Sequence, residues 1–264
     1  MVFTTENERK GAVATDNLMT QRDLDWPHAY NIRDLGGLPL QGGGLTKTRA
    51  IIRADILHRL TAQGRQQLLD YGVRTIIDLR KPDEVAREPS AVFADPSTAP
   101  TYLNIPLQRH NAQVETLMAD AASMAELYCL LLDHNQTAVA EIMRAIAAAP
   151  PGGVIFHCHA GKDRTGIIAA LLLKLAGAEH EAILDDYTAS QQRLWPLYEK
   201  LAAAAGGEDK VNPHYKPLLD PQTIAAALAY LRSIYGGVQK YLLGGGLTAA
   251  EVDHLRKRLV PQKM

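Results

Sequence analysis

Val154-Ile155-Phe156-His157 is a short apolar run of the kind a buried strand needs, and Pro150-Pro151-Gly152-Gly153 ahead of it stops any preceding helix. The next residues read Cys158-His159-Ala160-Gly161-Lys162-Asp163-Arg164-Thr165-Gly166-Ile167 and lead into an apolar helix that runs to about Ala176, with Gly177 as its closing cap. A buried strand feeding a buried helix through a tight loop belongs to a layered α/β fold. The loop sits where the helix presents its unpaired N–H groups, so it is a ready-made nest for an anion, and the helix dipole adds partial positive charge. Gly161 permits the tight curvature and the close approach of backbone to ligand.

The rest of the chain supports that architecture. Thr61 predicts an N-cap for a helix over Ala62 to Tyr71, with Gly72 as its cap, and Val73 to Leu79 is a β-branched run expected to be a strand. Short strands are predicted around Ile51-Ile52 and over Thr101 to Ile105, and helices over Ala112 to Asp133 and Thr137 to Ala148. Beyond Gly177 only helical signals appear, with a polar break at Gly206 to Asp209 and a capping box at Thr248-x-x-Glu251. The expected fold is α/β: a central, mostly parallel sheet flanked by helices, with a helical C-terminal third. Residues 1–23 are polar and without period and read as a loose tail, leaving 24–264 as a single domain.

Composition narrows the function classes. The 264 residues carry 28 basic and 29 acidic side chains, a formal net charge of -1, so no global field is available to hold nucleic acid. Two cysteines form neither a disulfide framework nor a four-thiolate zinc site. No apolar stretch is long enough for a membrane span, so integral membrane association is not expected. MVFTTENERKGAVATDN lacks an apolar core of secretory type, and a cytoplasmic location is expected, with export lacking such a signal left open.

Chemistry follows from the loop. A thiol at a helix N-terminus beside cations favours the thiolate, the nucleophilic form, which assigns attack to Cys158. Arg164 on the first helical turn suits a planar, two-point grip on phosphate oxygens. The Thr165 hydroxyl is placed to hydrogen-bond the sulfur. Together these residues describe covalent phosphoryl transfer through a cysteinyl phosphate, with no metal or organic cofactor required.

The segment His157-Cys158-x5-Arg164-Thr165 resembles the signature loop of the cysteine-dependent protein-tyrosine phosphatases. Its form HCHAGKDRTG is similar to the atypical bacterial and fungal branch. Asn31-Ile32-Arg33-Asp34-Leu35-Gly36-Gly37, Ile77-Asp78-Leu79-Arg80 with Glu84, and Tyr235 to Leu242 resemble further segments of that branch, in the same order. The resemblance implies a phosphatase acting on phosphotyrosine in protein, with phosphoserine, phosphothreonine and phosphoinositides also accepted by some members of that branch. It departs in one respect. Neither Trp26-Pro27 nor Trp195-Pro196 is followed by the aspartate of a Trp-Pro-Asp acid loop, so Asp163 is the leading candidate for general acid.

The backbone of His159, Ala160 and Gly161 is expected to bind phosphate, and Lys162 to suit a neighbouring phosphate on an inositol ring. His157 and Asp78 are expected to support the loop. Arg33 and Asp34 read either as a turn feature or as a second wall of the pocket. Arg80 reads either as the partner of Glu84 in a surface ion pair or as a brace for the rim of the site. Cys129 is expected in the core. Trp195, Leu197, Tyr198 and Leu201 form a stripe that is either core or a lid. Two rival functions keep the anion loop: sulfur transfer or arsenate reduction, and a catalytically silent phosphate-binding module.

Overall fold

The structure is a computed structural model that describes residues 22–90, 93, 97–109 and 111–261. Its strands are β1 (Arg33–Asp34), β2 (Ile51–Ala54), β3 (Val73–Asp78), β4 (Thr101–Asn104) and β5 (Gly153–His157). They form one sheet in the order β1-β2-β5-β3-β4, parallel except for the antiparallel edge pair β1–β2. The strand that feeds the cysteine loop is therefore central. Register places His157 level with Ala54 on one side and Asp78 on the other, so Asp55, Cys158 and Leu79 leave the sheet together at its carboxyl edge. That edge is where open parallel sheets bind ligands.

Side chains alternate across the sheet. Ile52, Ile76 and Ile155 face a smaller core with Trp26, Leu60 and Leu68, beneath helix α1 (Ala62–Asp70). Ile51, Ile77, Val154 and Phe156 face the larger core, built around α6 (Asp163–Ala176). Four further α-helices come before β5: α2 (Pro82–Arg87), α3 (Ala112–Ala119), which leads into α4 (Met124–His134), and α5 (Gln136–Ala148). After Gly177 the described residues form α7 (His180–Ala205), α8 (Pro221–Tyr235), α9 (Val238–Gly244) and α10 (Ala249–Leu259), and no strand. Thr248 and Glu251 make the expected capping box. None of these helices is long and apolar enough to cross a membrane.

Three expectations need correction. The helix expected over Ala112 to Asp133 is two helices, because Ser123 Oγ accepts from Glu126 N at 3.1 Å and Glu126 reaches back to Ala122 N, which starts α4 afresh. Cys129 is half-buried rather than core: α4 turns Tyr128, Leu131 and Leu132 inward, and Cys129 falls off that stripe. Arg22 and Asp23, assigned to the tail, are tied into the domain; Arg22 is buried and donates to Asp34 O at 2.9 Å, and Asp23 bridges to Arg33. The remainder of that tail lies outside the described residues.

Candidate active site

The loop after β5 is held from behind through its carbonyl oxygens. Leu79 N donates to His157 O at 2.8 Å and Ile56 N to His159 O at 2.9 Å. Asn31 Nδ2 donates to both Ala160 O and Gly161 O, each at 3.0 Å, and Arg53 Nη2 to Gly161 O at 2.7 Å. Gly166 N takes Lys162 O into the helix at 3.0 Å. In a planar trans peptide the N–H points opposite to the C=O, so anchoring these carbonyls outward turns the following amides toward the inside of the loop. Gly161 has φ +66°, and a Cβ there would stand 2.4 Å from Ala54 O, so no side chain fits at this crossing of two backbones.

His157 is fully buried, and burial holds its imidazole below the ordinary value, so it stays neutral. Its Nδ1 lies 3.0 Å from Cys158 O, which only accepts, and the ring proton therefore sits on Nδ1. Its Nε2 stands 3.6 Å from Asp78.

Cys158 opens at the floor of a cleft of about 770 Å³, whose lining includes His159, Ala160, Lys162, Asp163 and Arg164. Arg164 forks onto Glu84, with Nη1–Oε2 at 2.5 Å and Nη2–Oε1 at 2.8 Å. Burial alone would pull the guanidinium down, but the Glu84 carboxylate overrides it and holds Arg164 above its ordinary value. Glu84 is itself fixed as the third residue of α2, where its Oε2 accepts Lys81 N at 2.9 Å. His159 rests against Glu88, Nε2 to Oε2 3.0 Å. Asp163 accepts the Tyr128 hydroxyl on Oδ1 at 2.7 Å, and its Oδ2 lies 3.6 Å from Lys162 Nζ.

Several assigned residues are not in the cleft. Arg80 does not pair with Glu84 and does not reach the rim. Its side chain is fully buried, donating through Nε and Nη2 to Asp78 at 2.9 and 2.6 Å and through Nη1 to Glu88 O at 2.8 Å. Arg33 and Asp34 form no second wall. Asp34 accepts Gly36 N, Arg49 N and the Tyr71 hydroxyl, which makes it a turn anchor. Arg33 is fully buried and donates to Asn31 Oδ1 at 2.5 Å, Ser190 Oγ at 3.0 Å and Asp186 Oδ1 at 3.0 Å. Thr165 is buried with no hydrogen-bond partner for its hydroxyl, so the expected bond to the sulfur is not formed. Gly161 shapes the loop without lining the cleft.

The α7 stripe is a wall of this cleft. Leu194, Leu197, Tyr198 and Leu201 line it, and Leu194 and Tyr198, though buried, belong to neither sheet core. Trp195 turns aside, its ring 5.8 Å from that of Tyr198.

Three residues unassigned from sequence carry the loop: Asn31 and Arg53, which hold its carbonyls, and Asp186 on α7, which binds Arg22 at 2.5 Å, Arg33 at 3.0 Å and Arg53 at 2.6 Å. Arg53 was visible as a lone cation inside the apolar run Ile51-Ile52-Arg53-Ala54. Asp186 carried no comparable signal, because Asp185 beside it is equally acidic.

A thiol at the floor of an amide-lined loop, with a braced guanidinium beside it, equips a chain for cysteine-dependent phosphoryl transfer. Residues 24–261 match the tyrosine phosphatase family, and the chain belongs to it. A tyrosine-protein phosphatase of Nostoc commune is 35% identical over 219 residues, spanning 80% of this chain and 74% of the relative. The triple specificity protein phosphatase PtpB of Mycobacterium tuberculosis is 25% identical, spanning 90% of this chain and 98% of its own. The crystal structure of P. aeruginosa TpbA superposes with a TM-score of 0.38 at 22% identity, over 76% of this chain and 88% of that one. The chain is thus a tyrosine phosphatase, a hydrolase of phosphomonoesters.

Proposed function

We propose that hydrolysis proceeds in two steps through a phosphorylated Cys158. The Cys158 sulfur attacks phosphorus as the P–O bond to the leaving group breaks, and the leaving oxygen takes a proton from Asp163. Water then attacks the cysteinyl phosphate and gives its proton back to Asp163, releasing inorganic phosphate and the thiolate. Loop amides and Arg164 hold the equatorial oxygens throughout. The observation that carries this reading is the outward anchoring of the loop carbonyls around Cys158, since it leaves the amides to the anion. A silent binding module or a sulfur-transfer enzyme accounts less well for a carboxylate on the same loop as the thiol.

Among the described carboxylates of the cleft, Asp163 is the one on the loop; Glu84 is given to Arg164, Glu88 to His159 and Asp83 to Arg87. Asp55 and Asp78, at the carboxyl ends of the flanking strands, do not line the cleft. Asp55 is buried under Tyr30 N and Asn31 N, and burial pushes its carboxyl up to about 6. For Asp163→Asn, kcat on an alkyl ester such as a phosphothreonine peptide should fall about 100-fold, and on p-nitrophenyl phosphate only a few-fold, because that leaving group needs no proton. Equal losses on both esters would remove Asp163 as the acid.

A second reading concerns substrate range. Lys162 is a further cation, nearly buried, on the loop itself, and the relative named for triple specificity spans almost its whole length with this chain. These support activity on polyphosphorylated substrates, phosphoinositides included. Lys162→Ala should lower kcat/KM for a phosphoinositide about tenfold more than for a phosphotyrosine peptide, the scale of one charge-assisted contact. An equal decrease on the two substrates would count against it.

A further inference from the structure

Tyr128 sits on α4, where it lines the cleft, and Tyr187 on α7, and their hydroxyls meet beside Asp163. Tyr128 is fully buried, donates to Asp163 Oδ1 at 2.7 Å, and lies 2.9 Å from the Tyr187 hydroxyl. A hydroxyl has one proton. Since that of Tyr128 goes to the carboxylate, Tyr187 donates in turn to Tyr128, and the two form a directed chain ending on one carboxylate oxygen. The rings are packed edge to face, 6.2 Å between centroids at 89°. Tyr187 is also pressed against the first turn of α6, where a Cβ on Gly166 would stand 3.1 Å from its ring. Neither hydroxyl has room to wander.

We propose that Tyr128, backed by Tyr187, is a positioning residue that fixes which oxygen of Asp163 carries the proton in catalysis. This rests on the reading of Asp163 as general acid. An unanchored carboxyl rotates about χ2 and divides the proton between its oxygens. With Oδ1 taking the Tyr128 proton, and the Tyr128 oxygen in turn accepting from Tyr187, the transferable proton belongs on Oδ2, the oxygen turned to Lys162. The same oxygen then receives the proton of the attacking water. Burial, with Asp163 and Tyr187 beside it, raises the Tyr128 phenol well above its ordinary value, so it stays protonated and remains a donor throughout the working range. The charged neighbours of Asp163, Lys162 and Arg164, lie on the loop and its first turn and are unchanged by substitution at Tyr128.

The experiment compares Tyr128→Phe, Asp163→Asn and the double variant on a phosphothreonine peptide and on p-nitrophenyl phosphate. Tyr128→Phe keeps the ring and removes one oxygen. Its kcat on the alkyl ester should fall roughly tenfold and on p-nitrophenyl phosphate less than about twofold, a part of what a general acid contributes. In the Asp163→Asn background the same change should have no further selective effect, since the group being positioned is gone. If Asp163→Asn is itself unselective, the acid assignment fails and this inference with it. If Asp163→Asn is selective but Tyr128→Phe slows both esters alike, the acid stands and the positioning role is overturned. Should Tyr128→Phe not fold, Tyr187→Phe decides: it leaves the bond to Asp163 and removes its backing, so a smaller loss confined to the alkyl ester is expected, and an unselective effect there also overturns the proposal.

Discussion

Cys158→Ser is expected to reduce kcat on every phosphomonoester by roughly 10⁴-fold or more, while a phosphotyrosine peptide still binds within about threefold of the wild-type affinity. The two halves of that result come from different atoms. Turnover needs the sulfur, because a serine hydroxyl is far less acidic than a thiol, and His157 is turned away, with its proton directed to Cys158 O, so it does not activate the hydroxyl. Binding needs the loop amides and Arg164. The amides are oriented by Leu79, Ile56, Asn31 and Arg53 from outside the loop, and Arg164 by Glu84, and none of these contacts passes through the side chain at position 158. Single-turnover kinetics and calorimetric titration of the same preparation measure both. Residual turnover above about a thousandth of wild type would sink the covalent route, and loss of peptide binding with turnover would mean that the thiol also shapes the anion nest.

That division of labour explains what could be read from sequence. The loop is legible because its chemistry is contiguous: nucleophile, glycine, acid candidate and arginine lie within seven residues between a strand and a helix. The strand-helix alternation was legible for the same reason, since periodicity and caps are local. The scaffold behind the loop was not. Asn31 comes from a segment before β1, Arg53 from β2, Asp186 from the middle of α7 and Glu84 from α2, and only the closed fold makes them neighbours. Arg33 and Arg80 illustrate the error that follows. An arginine beside a phosphate loop invites assignment to substrate, yet both are fully buried and their donors go to protein oxygens. A buried guanidinium with five donors organises backbone and carboxylates over several directions, a use that sequence spacing does not distinguish from anion binding. The stripe on α7 reads from sequence as either core or lid, since apolar spacing tells that a face is apolar but not whether it borders a core or a cleft.

The largest stability effect is expected from Asp186→Asn. This carboxylate is buried among Arg22, Arg33 and Arg53, and all three guanidiniums donate to or pair with it. Burial would raise Asp186, but the three guanidiniums hold it far below the ordinary carboxylate range. Burial and the nearby Arg53 pull Arg33 the other way, below its ordinary value, which marks how poorly that cation is accommodated apart from Asp186. Replacing the carboxylate with an amide of the same shape removes the negative charge that Arg22, Arg33 and Arg53 share, and removing one partner of a buried ion pair costs about 3–5 kcal/mol. For a domain of this size that corresponds to a fall in Tm on the order of 10 °C. Because the folded-state value is depressed, the stability Asp186 contributes is fully present above the unfolded carboxylate value, near 4, and is lost only as pH falls through the lower folded value. The gap in Tm between wild type and Asp186→Asn should therefore be the same at pH 7 and pH 5. A gap that closes between those values would mean that the carboxylate takes up a proton there, and the three-arginine cage would not be what holds it. Arg53 ties this cage to catalysis through Gly161 O at 2.7 Å. Thus Asp186→Asn should also weaken phosphate binding at temperatures well below its Tm, with Asp186 itself never touching the cleft.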